Sequence, residues 1–241
     1  MRLSVVIPTL NEAAALPATL AHAGAVPGVT EIIVSDGGST DATERVALAR
    51  GVQWVTGARG RGAQLRRGAE RATGDVIILL HADTWLPPDA GTAITTALNS
   101  PAPAPERAQA PVVGGGFQKT FRDAPWLLRS TARWRSAVYF QITGRLFGDQ
   151  AIFVRREILT LIGGVPDLPL MEEFALCRAL QKHGRLTLAR STVSTSARTF
   201  QQRGVLGTWW LMARLQWQWH RGIPPEDLAA QYRSHRHPGP T

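Results

Sequence analysis

The chain has 241 residues, 44% hydrophobic and 19% charged, with 27 Lys and Arg against 18 Asp and Glu for a net charge of +9. That composition excludes a disordered, collagen-like or coiled-coil chain, and the single cysteine, Cys177, excludes an internal disulfide framework and a four-cysteine zinc site. Lys119 and Lys182 are the only lysines, so the positive charge is almost all guanidinium, a planar fork that suits diphosphate, nucleic acid or anionic lipid alike.

Residues 3–7 form a short apolar run that ends at Pro8. It is too short for the core of a signal peptide, and no uncharged stretch reaches the roughly 18 residues needed to span a bilayer, so the expected compartment is the cytoplasm. Continuous apolar runs at 3–7, 31–35, 52–56 and 75–80 read as parallel strands covered on both faces. Helices are expected between them. Pro17 suits the first turn of the first; the second should start at Ser39 or Thr40 and stop before Gly51; the third should cover 63–72 and close at Gly74. A β-α-β-α-β-α-β order with such crossovers implies a mostly parallel, right-handed α/β sheet flanked by helices.

The Pro- and Ala-rich stretch 100–111 reads as a surface loop or hinge between two halves. Beyond it the pattern predicts strands at 112–119 and 151–155 and helices at 126–139, 172–183 and 205–219, then a polar tail ending in His235, Arg236, His237 and Pro238.

In an open α/β sheet ligands bind beyond the carboxyl ends of the strands. Three polar clusters follow the apolar runs: Pro8 to Glu12, Asp36 to Asp41, and His81 to Thr84. Asp36 with Gly37 and Gly38 is either an ordinary strand-to-helix turn or an anion-favouring one at a positive helix end. Asp83 is either a turn acid or a carboxylate placed to hold a divalent cation that bridges two phosphates. Gly57 to Gly62 puts Arg59 and Arg61 on the same edge, where they could pair with phosphate oxygens. Glu172 and Glu173 open a predicted helix; they either offset its dipole or place one carboxylate in a cleft as a general base. No G-x-G-x-x-G follows the first strand and no P-loop occurs, which counts against dehydrogenases and P-loop enzymes.

Together, residues 5–12, 34–41, 74–84 and Gly163-Gly164 leading to Glu172, Glu173 and Arg178 resemble family 2 glycosyltransferases of the GT-A fold. His81 to Thr84, residues 148–151 and 196–198 are similar, more particularly, to a bacterial arsenosugar-biosynthesis-type subgroup. The resemblance implies a GT-A domain over 1–200, with a nucleotide-binding half at 1–99 and an acceptor-side half at 112–200, and an amphipathic helix and tail at 201–241. It implies sugar transfer from a nucleotide-sugar donor to an acceptor hydroxyl, with inversion. Pro8, Thr9, Glu12, Gly37, Gln64, His81 and Ala82 would line the donor pocket; Asp36 would bond the base, uracil in a UDP-sugar; Arg61 would meet the diphosphate; and Asp83 would hold Mg2+ or Mn2+. Glu173, with Glu172 beside it, would stand at the catalytic base, and Gly116, Asp149 and Gln150 on the acceptor side. The pattern is broken in three places: His81 stands where an acid is usual, Glu173 where an aspartate is, and Gln64 and Arg66 lie where an Arg-Asn pair is expected.

The helix at 205–219 joins Trp209, Trp210, Trp217 and Trp219 to Arg214 and Arg221. It reads equally as an interfacial helix against the inner membrane face, which would favour a lipid-linked acceptor, or as a core or dimer-contact helix. A nucleotidyltransferase is the near alternative, although its Gly-rich, lysine-bearing loop is missing. A non-catalytic basic protein is the distant one; the arginines are dispersed rather than gathered in a stripe, so no nucleic-acid partner is expected.

Overall fold

The computed structural model describes residues 1–100 and 110–234. Strands β1 (Leu3–Thr9), β2 (Val29–Asp36), β3 (Gln53–Thr56) and β4 (Val76–Leu79) are parallel, with β1 between β2 and β4. The apolar runs of β1 and β4 and the second half of β2 are buried on both faces, as crossover helices require, whereas β3 at the sheet edge is half-exposed. The remaining strands are β5 (Thr84–Trp85), β6 (Val112–Arg122), β7 (Ile152–Arg155) and β8 (Arg185–Ser196). β7 runs antiparallel to both β4 and β6, β8 lies parallel to β6, and β5 closes the edge antiparallel to β8. One sheet therefore crosses both halves of the chain, in the order β3-β2-β1-β4-β7-β6-β8-β5.

Helices α1 (Leu16–Gly24), α2 (Thr43–Leu48), α3 (Arg61–Arg71) and α4 (Ala90–Leu98) belong to the first half, with Pro17 in the first turn of α1 as expected. α5 (Trp126–Thr143), α6 (Arg156–Leu161), α7 (Glu172–Leu180), α8 (Arg198–Arg203), α9 (Val205–His220) and α10 (Pro225–Ser234) follow. Two large apolar clusters lie on opposite faces of the sheet: one gathers Val5, Ile7, Ile78 and Phe153, the other Val6, Ile33, Ile77 and Val154, in keeping with the alternation of side chains along a strand. Gly68 lets α3 lie directly on β1, since a Cβ there would overlap Val6. A third cluster, Met171, Phe174, Leu211, Leu215 and Leu228, fastens α9 and α10 to α7.

The structure corrects several expectations. α2 begins at Thr43, not at Ser39 or Thr40, because residues 37–42 are tied into a turn: the Ser39 amide and hydroxyl donate to Asp36, and the Thr40 amide donates to Asn11 Oδ1. β8 was not anticipated. Its twelve residues are only half-buried and its pairing with β6 shifts register between Phe117 and Gln118, which breaks the apolar alternation. Residues 225–234 form α10 rather than the start of a polar tail. Residues 101–109 of the hinge expected at 100–111, and the tail from 235 onward, lie outside the described residues. Among the described residues no helix is long and apolar enough to cross a membrane.

Candidate active site

The carboxyl ends of β1 and β2 build a prebound turn. Asp36, 2% exposed, accepts hydrogen bonds on Oδ1 from the Thr9 and Ser39 hydroxyls (3.0 and 2.5 Å) and on Oδ2 from the Gly38 and Ser39 amides (both 2.7 Å). Burial works against its charge, but these bonds outweigh it and hold its pKa below the ordinary value. Gln64, from α3, spans the gap between the two strands, donating from Nε2 to the carbonyls of Thr9 (2.6 Å) and Ser35 (3.1 Å). Gly37 faces this amide so closely that a Cβ would stand 3.0 Å from Gln64 Cδ. Arg67 adds a bond from Nη2 to the Asp36 carbonyl (2.6 Å). Pro8, Thr9, Asp36, Gly37 and Gln64 are thus gathered at one sheet edge, with Thr9, Asp36 and Gln64 buried as its scaffold.

Across β1, the loop after β4 carries Ala82 and Asp83. The buried Ala82 carbonyl accepts from Thr19 Oγ1 (2.7 Å), which fixes the loop on α1. The Asp83 carbonyl accepts from Arg122 Nη2 (2.5 Å), and the Arg122 guanidinium lies 3.6 Å over the Trp85 ring. Burial raises the Asp83 pKa, opposed by Arg198 and reinforced by Glu12 and Asp149. Arg198, at the start of α8, bridges the two carboxylates: Nη2 donates to Glu12 Oε1 (3.0 Å) and Oε2 (3.2 Å) and stands 3.6 Å from Asp83 Oδ2.

The second half supplies the other wall. Glu172 is buried and Glu173 half-buried; both turn toward Arg61, whose Nε lies 2.7 Å from Glu172 Oε1, close but not aligned as a hydrogen bond, and whose Nη2 lies 3.6 Å from Glu173 Oε2. Burial raises the Glu172 pKa; Arg61 opposes this and Glu173 adds to it. Burial also disfavours the charge on Arg61, but Glu172, Glu173 and Asp149 outweigh it and raise its pKa. His81 completes this cavity. Its Nε2 is buried without a hydrogen-bond partner, and burial, with Arg61 next, pushes its pKa down to about 3, so the ring is neutral. Gly148 makes the arrangement possible, since a Cβ there would overlap Arg61 Nη2 and stand 2.7 Å from His81 Nε2.

On the acceptor side Lys119 Nζ reaches both Asp149 oxygens at 2.7 Å and lies 4.7 Å over the Phe147 ring. Burial opposes the Asp149 charge, but Lys119 above all holds its pKa down. Gln150 is fully buried, donating to the Phe117 carbonyl (3.0 Å) and accepting from the Phe147 amide (2.9 Å). Gly116 lies beneath, where a Cβ would meet Leu146 at 2.9 Å. Gly116 and Gln150 therefore support the loop from below, and Asp149 is the polar group that faces the cleft charges.

Arg61, His81, Gly148, Glu172 and Glu173 line one cavity, with Asp149 adjacent to Gly148 and Asp83 two residues beyond His81 on the same loop. Charged but for Gly148 and the neutral His81, they form one rim. Arg61, expected at the diphosphate, is engaged by the two glutamates, and the guanidinium beside Asp83 is that of Arg198. Sequence reasoning gave no role to Arg198, Lys119 or Arg122; the scarcity of lysine and the Ser-Ala-Arg at 196–198 were the only local signals. Among the described residues, three of the four non-glycine residues at positive φ, Asn11, Ala151 and Met171, adjoin Glu12, Gln150 and Glu172. Left-handed backbone costs such residues of order 1 kcal/mol each, and here it aims site residues.

Among the described residues no cluster of three or more His, Cys, Asp or Glu side chains is set to hold a metal ion. A cation completed by substrate phosphates needs only one or two carboxylates. Asp83 fits that smaller role, because Arg198 stands off at 3.6 Å rather than capping the oxygen. His81 does not substitute for the missing acid, because its free nitrogen faces Arg61 and Gly148.

The family described as Glycosyl transferase family 2 matches residues 4–153, well over half of the chain. The chain belongs to that family. An uncharacterized glycosyltransferase of Mycobacterium tuberculosis is 40% identical over 81 residues, a match spanning 33% of this chain and only 36% of the relative's length, and an uncharacterized glycosyltransferase of Mycobacterium bovis matches equally. Among solved structures, a mannosyltransferase of Pyrobaculum calidifontis in complex with GDP-mannose and Mn2+ is similar at TM-score 0.63 and 19% identity, over 89% of this chain and 61% of that one. Glucosyl-3-phosphoglycerate synthase of M. tuberculosis, in complex with Mn2+ and UDP-glucose, is similar at TM-score 0.54 and 25% identity, over 81% and 69%. These likenesses fix the fold as GT-A.

Proposed function

We propose that the chain transfers a sugar from a nucleoside-diphosphate donor, a UDP-sugar, to an acceptor hydroxyl in one inverting displacement. The observation that carries this reading is the shared cavity: Glu173 and Arg61, 3.6 Å apart, line it together with His81, and Asp83, 90 residues before Glu173, lies two residues beyond His81 on the same loop. Thr9, Asp36 and Gln64 hold the edge on which the base and ribose rest, with Pro8, Gly37 and Ala82 as its floor. Asp83 is the carboxylate that would hold Mg2+ or Mn2+ with the donor phosphates, a group that supplies positive charge to the departing diphosphate. Arg198, released from Glu12 and Asp83, is the nearest protein cation for the same task.

Glu173 Oε2 accepts the proton of the acceptor hydroxyl as that oxygen attacks the anomeric carbon from the face opposite the diphosphate. Arg61 keeps Glu173 turned inward, and the neutral His81 packs beside it without adding charge. Asp149 and Lys119 orient the acceptor, and Gly116 and Gln150 fix their loop. Residues 1–200 carry the transfer; the helix at 205–219 contacts the membrane peripherally, which favours a lipid-linked acceptor.

The test has two parts. UDP-glucose with Mn2+ should raise the melting temperature by linkage, and a set of UDP- and GDP-sugars that all leave it unmoved would sink the donor reading. With donor and acceptor identified, Glu173→Gln should cut kcat by about 10³-fold while leaving the donor-induced shift intact; unchanged turnover would remove the base.

A further inference from the structure

α5 and α9 lie side by side: Tyr139 donates to Gln216 Oε1 (2.9 Å), and the Arg135 guanidinium stands 3.9 Å over the Trp209 ring. α9 buries one side, Thr208, Leu211 and Leu215, at helical spacing. Its other side sets Leu206, Trp210, Ala213 and Trp217 at i, i+4, i+7 and i+11, a straight exposed stripe. Next to it α5 exposes Trp134 and Ile142. Leu206, Trp210, Trp217, Trp134 and Ile142 are each 58–79% exposed, far more apolar surface than an isolated solvated helix face carries.

The charge around this face is one-sided. Residues 124–148 and 204–225, which contain the two helices and their ends, hold six Lys and Arg and no acid. Arg214 lies 5.5 Å over Trp210 and Arg221 4.6 Å over Trp217, so each guanidinium is held at the edge of an exposed indole. Indoles at the headgroup level with arginines on lipid phosphates are the arrangement of a helix lying in an anionic membrane surface.

We infer that α5 and α9 together form a two-helix docking face for a bilayer containing anionic lipid. Self-association through this face would set arginine against arginine, and Leu206 and Ile142 cannot stack on nucleic-acid bases. α8 starts with Arg198 at the charged rim and leads through Gly204 into α9, so docking brings the rim close to the lipid surface. The presentation of a lipid-linked hydroxyl to Glu173 rests on the transferase reading; docking does not.

The experiment is co-sedimentation of the full chain with phosphatidylcholine vesicles, with and without phosphatidylglycerol at about one lipid in three. We expect binding to the anionic vesicles alone. Combined Trp210→Ser and Trp217→Ser should weaken it about tenfold or more, and Arg214→Gln about fivefold. The Trp210 and Trp217 variant should keep the wild-type melting temperature, since both rings are exposed, whereas Arg214→Gln also loses the bond from Arg214 Nη2 to Gln231 Oε1 and is compared at a temperature where both proteins are folded. Equal binding to both vesicle types, binding to neither, or an unweakened double variant would overturn the inference. So would a dimer, or a complex with duplex DNA, that the same substitutions dissolve. The rise in melting temperature with UDP-glucose and Mn2+, read on the same preparations, separates the two claims: vesicle binding without it sinks the donor reading alone, and the rise without vesicle binding sinks the docking face and the membrane contact of the proposed function, and leaves sugar transfer from the donor standing.

Discussion

The donor edge and the charged rim are built on opposite principles. At the donor edge the carboxylate and amide are bound within the protein: Asp36 takes four hydrogen bonds and Gln64 bridges two strands, while Ser35 Oγ and Arg67 Nε behind them are buried without a partner. At the rim, Arg61 Nε, Glu172 Oε1 and His81 Nε2 are buried without an aligned hydrogen bond. Buried polar groups are ordinarily paired, and exceptions mark places that fold at a cost or that exchange partners. The first region is finished before a ligand arrives; the second is balanced in charge but not in geometry.

Breaking the finished region should have the largest effect on stability. Asp36→Ala strands the amides of Gly38 and Ser39 and two hydroxyls around a buried gap, and should cost about 3 kcal/mol. The lowered pKa of Asp36 gives a pH signature as well. Its stabilisation is fully present above the ordinary aspartate value and is lost as pH falls through the lowered one, so the variant should lack part of the wild type's acid transition. Urea denaturation at neutral and acidic pH measures both. A cost below about 0.5 kcal/mol would mean that water replaces the carboxylate and the edge is not prebuilt.

A smaller stability effect with a sharper functional one is expected at Gly148. Gly148→Ala drives a methyl into Arg61 and against His81, so Arg61 must leave Glu172 and Glu173 or the loop must shift. Overpacking of this kind costs about 1–3 kcal/mol. Transfer activity should fall by more than about tenfold, because a misplaced base loses rate steeply. Donor-induced stabilisation should persist, since the donor edge is untouched. Full activity would show that Arg61 does not position Glu173.

The two regions also differ in how far the sequence reveals them. β1, β2, β3 and β4 are near-continuous apolar runs with a polar residue at each end, so their ends could be read to within about two residues. That placed Thr9, Asp36 and Asp83 on one edge. The rim depends on pairings that no local pattern encodes: Arg198 meets Glu12 across 186 residues, and Lys119 meets Asp149 from a strand that looks like any other. β8 and α10 were illegible for a related reason, since each is stabilised by the neighbours it packs against more than by its own periodicity.

The subtlest test concerns whether burial or pairing governs Glu172. Its folded pKa is raised above the ordinary carboxylate value, burial being the larger influence and the Arg61 charge the opposing one. Between those two values the native state holds a proton that the unfolded chain has released, so wild-type stability falls as pH rises from about 5 toward neutrality. Glu172→Gln carries no such proton and loses that slope. The variant should therefore gain on the wild type between pH 5 and pH 8 by about 1 kcal/mol, or about 2–4 °C in melting temperature. If the two stay level between pH 5 and pH 8, the Arg61 pairing outweighs burial, Glu172 is ionised throughout, and the rim is as finished as the donor edge.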